Sequence, residues 1–164
     1  MAKKKIDYPV TPAVRFLRQN NIDFIPHLYT FEDHGGTRHA AAELDVAEHS
    51  MIKTLVMHSD SKRALLVLMH GDLEVSTKAL ARELAEKHIT PCDVDSAQKH
   101  TGYLVGGISP FGTRKHLPVY AESSIFTLEK IYINGGKRGF MVEIDPIDLE
   151  RVLSVIRISV AIPR

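Results

Sequence analysis

The chain has 164 residues, which suits one compact domain with a sizeable core. Its hydrophobic (44%) and charged (25%) fractions exclude disordered and fibrous classes, and its longest apolar run, Ala64–Met69, is strand-sized rather than bilayer-sized. Lys and Arg outnumber Asp and Glu by one (21 against 20), which argues against a high-affinity non-specific nucleic-acid binder but not against a protein that grips only the end of a nucleic acid.

The N-terminal Lys3-Lys4-Lys5 is followed by Ile6-Asp7-Tyr8-Pro9 and not by an apolar stretch, so residues 1–10 read as a flexible basic arm rather than a signal peptide. Thr11 and Pro12 form a helix start, cap then first-turn proline, with Ala13, Phe16 and Leu17 at helical spacing and Asn20-Asn21 as a stop. Phe24 to Phe31 reads as a strand that Pro26 pushes to a sheet edge. After Gly35-Gly36, Thr37 opens a short alanine-rich helix to about Leu44. Ile52–His58 and Arg63–His70, joined by a polar Ser59-Asp60-Ser61-Lys62 turn, are expected to pair as a hairpin.

Ser76 caps a helix expected to run to about Lys87, and a further short helix over Asp93–Thr101 is closed by Gly102. Short β segments are expected at Tyr103–Val105, Leu117–Tyr120, Ile131–Ile133 and Gly139–Ile144. Asp145-Pro146 starts a last helix whose buried side Ile147, Val152 and Ile156 would supply. Clustered strands with helices at the start, middle and end predict an α+β fold, not a regular βαβ alternation. In the Ile52–Met57 strand both faces are largely apolar, as in a curved, barrel-like sheet with helices outside, and Lys53 is the misfit.

Lys53 permits two readings. One is a lysine that snorkels to water; the other lines a pocket where its charge holds a phosphate or opposes a developing oxyanion. The stretch Gly102–Gly112 is rich in glycine, which lets backbone N–H groups approach an anion, though a bulged hairpin would use the same residues. It is not a nucleophile elbow, because the glycine after Ser109 falls at Gly112, one place late. Asn134-Gly135-Gly136 reads most simply as a hairpin turn, with Lys137 and Arg138 available to a phosphate backbone. The nine histidines show no metal-ligand spacing, and no metal or cofactor is expected. Arg114-Lys115-His116 is a further basic cluster. Cys92, the one cysteine, has no sequence context for a reactive thiolate, and a single cysteine suits a reducing cytoplasm.

Four segments in order, Thr11-Pro12-Ala13-Val14, Ile52-Lys53-Thr54-Leu55, Gly102–Gly112 and Gly135–Gly139, resemble the YbaK family of aminoacyl-tRNA deacylases, relatives of the editing domain of bacterial prolyl-tRNA synthetases. The resemblance runs from about Thr11 to Leu153. It implies an α+β fold around a nearly closed barrel and, as substrate, the 3′ end of a tRNA carrying a wrong amino acid, most simply cysteine on proline tRNA. It places Lys53 at the family's essential lysine and Tyr29 at a pocket-edge tyrosine of the cysteine-specific branch. Gly106, Gly107, Ile108 and Ser109 fall on the loop facing the aminoacyl ester and terminal adenosine. Asn134, Gly135 and Met141 fall among the expected substrate contacts, and Lys137 and Arg138 are candidates for the tRNA backbone.

In the cysteine-specific branch the substrate thiol attacks its own carbonyl, which needs no protein nucleophile and no cofactor. Two positions depart from that branch: Asn134 stands where it has a small hydroxyl residue, and Met141 where it has an aspartate. Alanine or serine is therefore an alternative substrate. A non-catalytic tRNA- or synthetase-binding module and a small-molecule ester hydrolase are the competing classes. Prolyl-tRNA synthetase is the expected protein partner, and no membrane is involved.

Overall fold

In the computed structural model, which describes residues 7–164, the chain runs through fifteen helices and strands. The first are α1 (Pro12–Gln19), β1 (Ile25–Leu28), α2 (Gly36–Leu44), β2 (Met51–Ser59), β3 (Ala64–His70), β4 (Leu73–Val75), α3 (Thr77–Glu83) and β5 (Ile89–Pro91). They are followed by α4 (Val94–Thr101), β6 (Val119–Glu122), β7 (Ile131–Lys137), β8 (Phe140–Ile144), α5 (Ile147–Val152), β9 (Val155–Ile158) and β10 (Ala161–Pro163). Short 3₁₀ turns cover Glu48–Ser50 and Ser123–Thr127. No helix is long and apolar enough to cross a membrane among the described residues.

The fold is α+β, as expected. Eight strands form one mixed sheet in the order β1-β8-β7-β2-β3-β6-β9, with β5 attached to β2, and β10 pairs with β4 in a separate ribbon. The β2/β3 hairpin is antiparallel over seven residue pairs, from Ile52↔His70 to His58↔Ala64. β2 meets β7 in parallel, and β3 meets β6 in parallel. The path is open: β1 and β9 are its ends, and Pro26 sits on the β1 edge where its missing N–H costs no ladder bond.

The period-two alternation of β2 and β3 sorts their side chains to two cores. Ile52, Val56, Leu66 and Leu68 pack with Ala13, Val14 and Leu17 of α1 and with Phe111. Met57, Leu65, Val67 and Met69 pack with Leu80 and Ala81 of α3. A smaller cluster joins Ala40 and Ala41 of α2 to Met51, Tyr132 and Met141. Because both sheet faces are covered, β2 and β3 read as near-continuous apolar runs.

Several expectations are corrected. The Lys3–Lys5 part of the basic arm lies outside the described residues, and the arm does not extend to residue 10, because the Tyr8 ring stacks on Phe140 and meets Phe24 edge-on (centroids 5.8 Å in each case). α3 ends at Glu83, where Leu84 closes the helix and Ala85 turns left-handed (φ 54°). Tyr103–Val105 is not a strand; Tyr103 is buried and its hydroxyl donates to Phe111 O at 2.5 Å. Asn134-Gly135-Gly136 is not the hairpin turn: β7 continues through Lys137 with a register shift between Asn134 and Lys137, and the chain reverses at Arg138-Gly139. The buried residues of α5 are Asp148 and Leu149, whereas Ile147 and Ile156 are exposed.

Thr11 ties two distant parts of the fold together. Its hydroxyl caps α1 by accepting the Val14 N–H (3.1 Å) and donates to Gly135 O (2.5 Å), 124 positions away in sequence. Both bonds are buried. Thr11→Ala is expected to lower the unfolding free energy by about 2 kcal/mol and Thr11→Ser by much less, as read from urea denaturation midpoints.

Candidate active site

β2 is hydrogen-bonded along its β3 edge throughout, but on the opposite edge it meets β7 only at Met51 and Ile52 and β5 only at Met57–Ser59. Gly71 N–H donates to Met51 O and Ser59 N–H to Arg63 O, so odd-numbered residues of β2 face β3 and even-numbered ones face the other edge. Cys92 N–H closes on Val56 O at 2.9 Å. Thr54 is thereby left with its backbone facing a gap in the sheet, and its hydroxyl Oγ1 is buried without a hydrogen-bond partner.

A cleft of about 520 Å³ opens at this gap, lined by Ile52, Lys53, Thr54 and Leu55 of β2. Lys53 is half-buried, opposite Met69 in the hairpin register, and among the described residues no carboxylate lies within 4.0 Å of it. Burial lowers its pKa from the ordinary lysine value; Glu74 raises it, Arg164 lowers it, and Glu48 and Asp72 raise it. The result is an ammonium ion held at the cleft with no partner of its own.

The second wall comes from the two glycine-rich loops, which Asn134 latches together. Its Nδ2 donates to Gly106 O (3.1 Å), while its Oδ1 accepts the N–H groups of Gly136 (2.7 Å) and Lys137 (3.2 Å). Arg138 adds a second latch: Nε donates to Val105 O (2.9 Å), and the guanidinium lies 5.1 Å from the centre of the Phe31 ring. The loops approach so closely at Gly107 that a Cβ there would lie 2.8 Å from Arg138 N. Gly107 N–H donates to Leu104 O, whereas the N–H groups of Gly106 and Ile108, two residues that line the cleft, have no hydrogen-bond partner among the described residues.

The third wall is the segment from Tyr29 through the first turn of α2. The Tyr29 ring meets His39 edge-on (6.2 Å), and burial raises its pKa. His39 is held by Thr30 O (2.7 Å) and by Glu32 (3.0 Å). At the end near β4, Glu48 accepts the Thr37 hydroxyl (2.8 Å) and two guanidinium N–H bonds from Arg164 (2.8 and 3.0 Å). Arg164 reaches the cleft because β10 pairs with β4.

Of the residues singled out from the sequence, Lys53, Tyr29, Gly106, Ile108, Asn134, Met141 and Arg138 converge on this cleft. Four do not line it. Ser109 is fully buried, and its Oγ accepts the Phe111 N–H (3.2 Å). Gly107 is packed against the Lys137–Arg138 backbone. Gly135 is packed under the Phe140 ring, where a Cβ would lie 2.4 Å from a ring carbon. Lys137 points out at the surface. The sequence reading missed Phe31, His39, Thr54, Glu48 and Arg164. Thr54 stood within the quoted Ile52–Leu55 segment, but nothing in the pattern marks Arg164, 116 positions from its partner Glu48.

His49, His70 and Asp72 offer ligand atoms within 4.8 Å of one another, a grouping the sequence spacing did not reveal. Both ring nitrogens of His70, Nδ1 of His49 and the Asp72 carboxylate have protein partners. His70 uses Nδ1 on His49 O and Nε2 on the Ser124 hydroxyl, both at 2.7 Å, and stacks on the His49 ring, which is bonded to Asp72. The cluster is a satisfied network that fixes the 3₁₀ turn carrying Glu48.

The geometry has counterparts among known proteins. The family model described as "Aminoacyl-tRNA editing domain" matches residues 33–152, which include Lys53, both glycine loops and Met141. A relative from Enterococcus faecalis, named "Putative Cys-tRNA(Pro)/Cys-tRNA(Cys) deacylase EbsC", is 29% identical over 94% of this chain and 93% of its own length. A proline–tRNA ligase from Brachyspira hyodysenteriae is 27% identical over 57% of this chain, but this chain spans only 16% of that enzyme. The solved structure of "hypothetical protein APE2540" superposes with a TM-score of 0.84 at 18% identity, covering 92% of this chain and 99% of that one. With the matched segment extending over most of its length, the chain belongs to the aminoacyl-tRNA editing domain family.

Proposed function

We propose that the protein is a deacylase that releases a mischarged amino acid, cysteine first, from the 3′ end of proline tRNA. The observation that carries this reading is Lys53: an unpartnered, half-buried ammonium at the gap in β2, in a cleft whose other wall includes Gly106 and Ile108, whose N–H groups are unpaired among the described residues. Such a cleft suits an anionic nucleotide end bearing an ester. The name of the Enterococcus relative favours cysteine as the amino acid and proline or cysteine tRNA as its carrier.

In the proposed reaction Lys53 holds the terminal nucleotide or polarises the ester carbonyl, and the loop N–H groups stabilise the oxyanion that forms. For cysteine, the substrate sulfur attacks its own carbonyl carbon. A C–S bond forms, the ester C–O bond breaks, and the thiol proton ends on the ribose oxygen. The products are free tRNA and a cysteine thiolactone, with no water consumed. An amino acid without a thiol needs water as the nucleophile, which makes the reaction a hydrolysis. Met141 and Asn134 favour keeping alanine and serine as alternative substrates. A small-molecule esterase would act on free aminoacyl esters as well as on tRNA.

The deciding experiment follows amino-acid release from tRNA(Pro) charged with cysteine, alanine, serine or proline, with and without prolyl-tRNA synthetase. Selective cysteine release is expected. Stoichiometric tRNA binding with no release from any of the four would replace the enzyme reading with a binding module.

Lys53→Ala is expected to cost roughly a hundred-fold or more in turnover, the scale of losing one oxyanion-stabilising group. Because burial lowers the Lys53 pKa, its charged form is lost at lower pH than that of a free lysine. After subtraction of uncatalysed ester hydrolysis, wild-type activity should therefore fall on the alkaline side below the ordinary lysine range. Lys53→Arg, whose cation does not titrate there, should lose that alkaline fall even if its overall rate is reduced.

Asn134→Ala removes the latch between the glycine loops. It is expected to lower stability by about 2 kcal/mol, to speed amide hydrogen exchange at residues 105–108 and 136–138, and to lower kcat/KM. Unchanged exchange would show that the loops hold their positions without it.

A further inference from the structure

Net charge is close to zero, but the charges are not evenly spread. Residues 96–121 contain no Asp or Glu, and neither do residues 131–142, in a chain with 20 acids. These two segments carry Lys99, Arg114, Lys115, Lys137 and Arg138, with His100 and His116 among them. All five cationic side chains belong to exposed residues, and none has a carboxylate within 4.0 Å among the described residues. Among the described lysines and arginines only Lys130, Arg151, Arg157 and Arg164 sit within 4.0 Å of a carboxylate, so what marks these two segments is the absence of acids from their own sequence.

The fold stitches these segments together. Arg114 N–H donates to Thr101 O and Lys115 N–H to His100 O, both at 3.0 Å, which seats Arg114 and Lys115 on the last turn of α4. The Arg114 side chain lies across Gly102, 3.5 Å from where a Cβ would stand. From Gly102 the loop runs to Val105, which accepts from Arg138, and to Gly106 and Ile108 in the cleft wall. One glycine-rich loop thus joins the cleft to a row of free cations outside it, and no acid of its own interrupts the row.

We infer that this band, from Arg138 and Lys137 across the 102–116 loop to Arg114, Lys115 and Lys99, seats the sugar-phosphate backbone of the tRNA acceptor stem. The inference rests on the proposed function and extends it from the single-stranded 3′ end to the duplex behind it. Two observations favour RNA over an acidic protein: the band is continuous with the cleft that would take the 3′ end, and its five cations outnumber the two exposed apolar residues of its loop, Leu104 and Val105. Such contacts fix position and carry little sequence information, because an RNA duplex is gripped mainly through its phosphates and 2′-hydroxyls. A short band gives weak, salt-sensitive binding, consistent with the near-neutral charge of the whole chain.

The test uses the R114A/K115A double variant of the full chain, with its unfolding curve as the check on folding. Deacylation is measured on charged tRNA(Pro) and on a charged CCA trinucleotide between about 50 and 200 mM salt. The variant is expected to raise KM for tRNA roughly ten-fold at the lower salt with kcat held, and to reduce the slope of log KM against log salt by about two. The advantage of tRNA over the trinucleotide should shrink by the same factor. Wild-type KM and slope in a folded variant would overturn the inference. If the wild-type protein turns over no substrate, the proposed reaction fails but the band is still tested by salt-dependent binding of uncharged tRNA(Pro). Weaker binding by the variant then supports the band, and equal binding overturns it. A variant that binds tRNA normally but loses affinity for prolyl-tRNA synthetase would overturn it in favour of a protein contact.

Discussion

Strand β2 is bonded along one edge for its whole length and along the other only at its ends, and the rest of the site depends on that interruption. A complete ladder on that edge would pair the Thr54 backbone groups and fill the opening beside Lys53 with another strand. With β7 stopping at Ile52 and β5 starting at Met57, the middle of the strand opens to a cleft while its two faces remain packed in separate cores. A charged group half-removed from water costs several kcal/mol if left wholly unsolvated, so its persistence at the floor of an open cleft fits a site that lends it to a ligand.

The polar atoms around the cleft divide into two sets. Asn134, Arg138 Nε, Thr37, Glu48 and Arg164 are fully engaged with one another or with backbone, and they set the positions of the walls. Among the described residues, Lys53 and the N–H groups of Gly106 and Ile108 have no hydrogen-bond partner and belong to residues that line the space between, and the Thr54 hydroxyl is buried without one. This is the arrangement that preorganised stabilisation requires: the groups that would meet a developing charge are free, and those that hold them there are not. The distinction also corrects the glycine reading. Gly107 and Gly135 are glycine because another backbone or a phenyl ring occupies the place of their Cβ, and they serve the site through packing rather than by touching a ligand.

Much of this was legible in the sequence where local chemistry dictates local structure. The Thr11 cap, the β2/β3 hairpin and the Gly102 stop of the short helix after Asp93 all follow from residue type and spacing. Lys53 stood out because it breaks an apolar strand. What failed has a physical reason in each case. Asn134-Gly135-Gly136 carries turn chemistry, but a bulge meets the same demand for a positive φ, and only the pairing of Phe140 with Lys137 separates the two. β4, β5 and β10 are three-residue strands without a period to read. Arg164 enters the site through the β10–β4 ribbon, a long-range pairing that leaves no local trace.

Met141 bears on how such a cleft could choose its amino acid. It faces Asn134 across the β7/β8 ladder, is almost wholly buried, and packs with Ala40, Ala41, Met51 and Tyr132. A carboxylate at this position would enter an apolar cluster with no cation bonded there, so the aspartate of the cysteine-specific branch could not be restored by one substitution without repacking α2. If the proposed reaction is right, recognition on this side is by shape and apolar contact. Such contact separates groups differing by one methylene by only about 1–3 kcal/mol, and near-isosteric side chains by no more. Cysteine and serine are nearly isosteric. If the proposed reaction is right, their discrimination must then come from the chemical step, where a thiol can attack its own ester far more readily than a hydroxyl, rather than from a pocket that measures the difference between sulfur and oxygen.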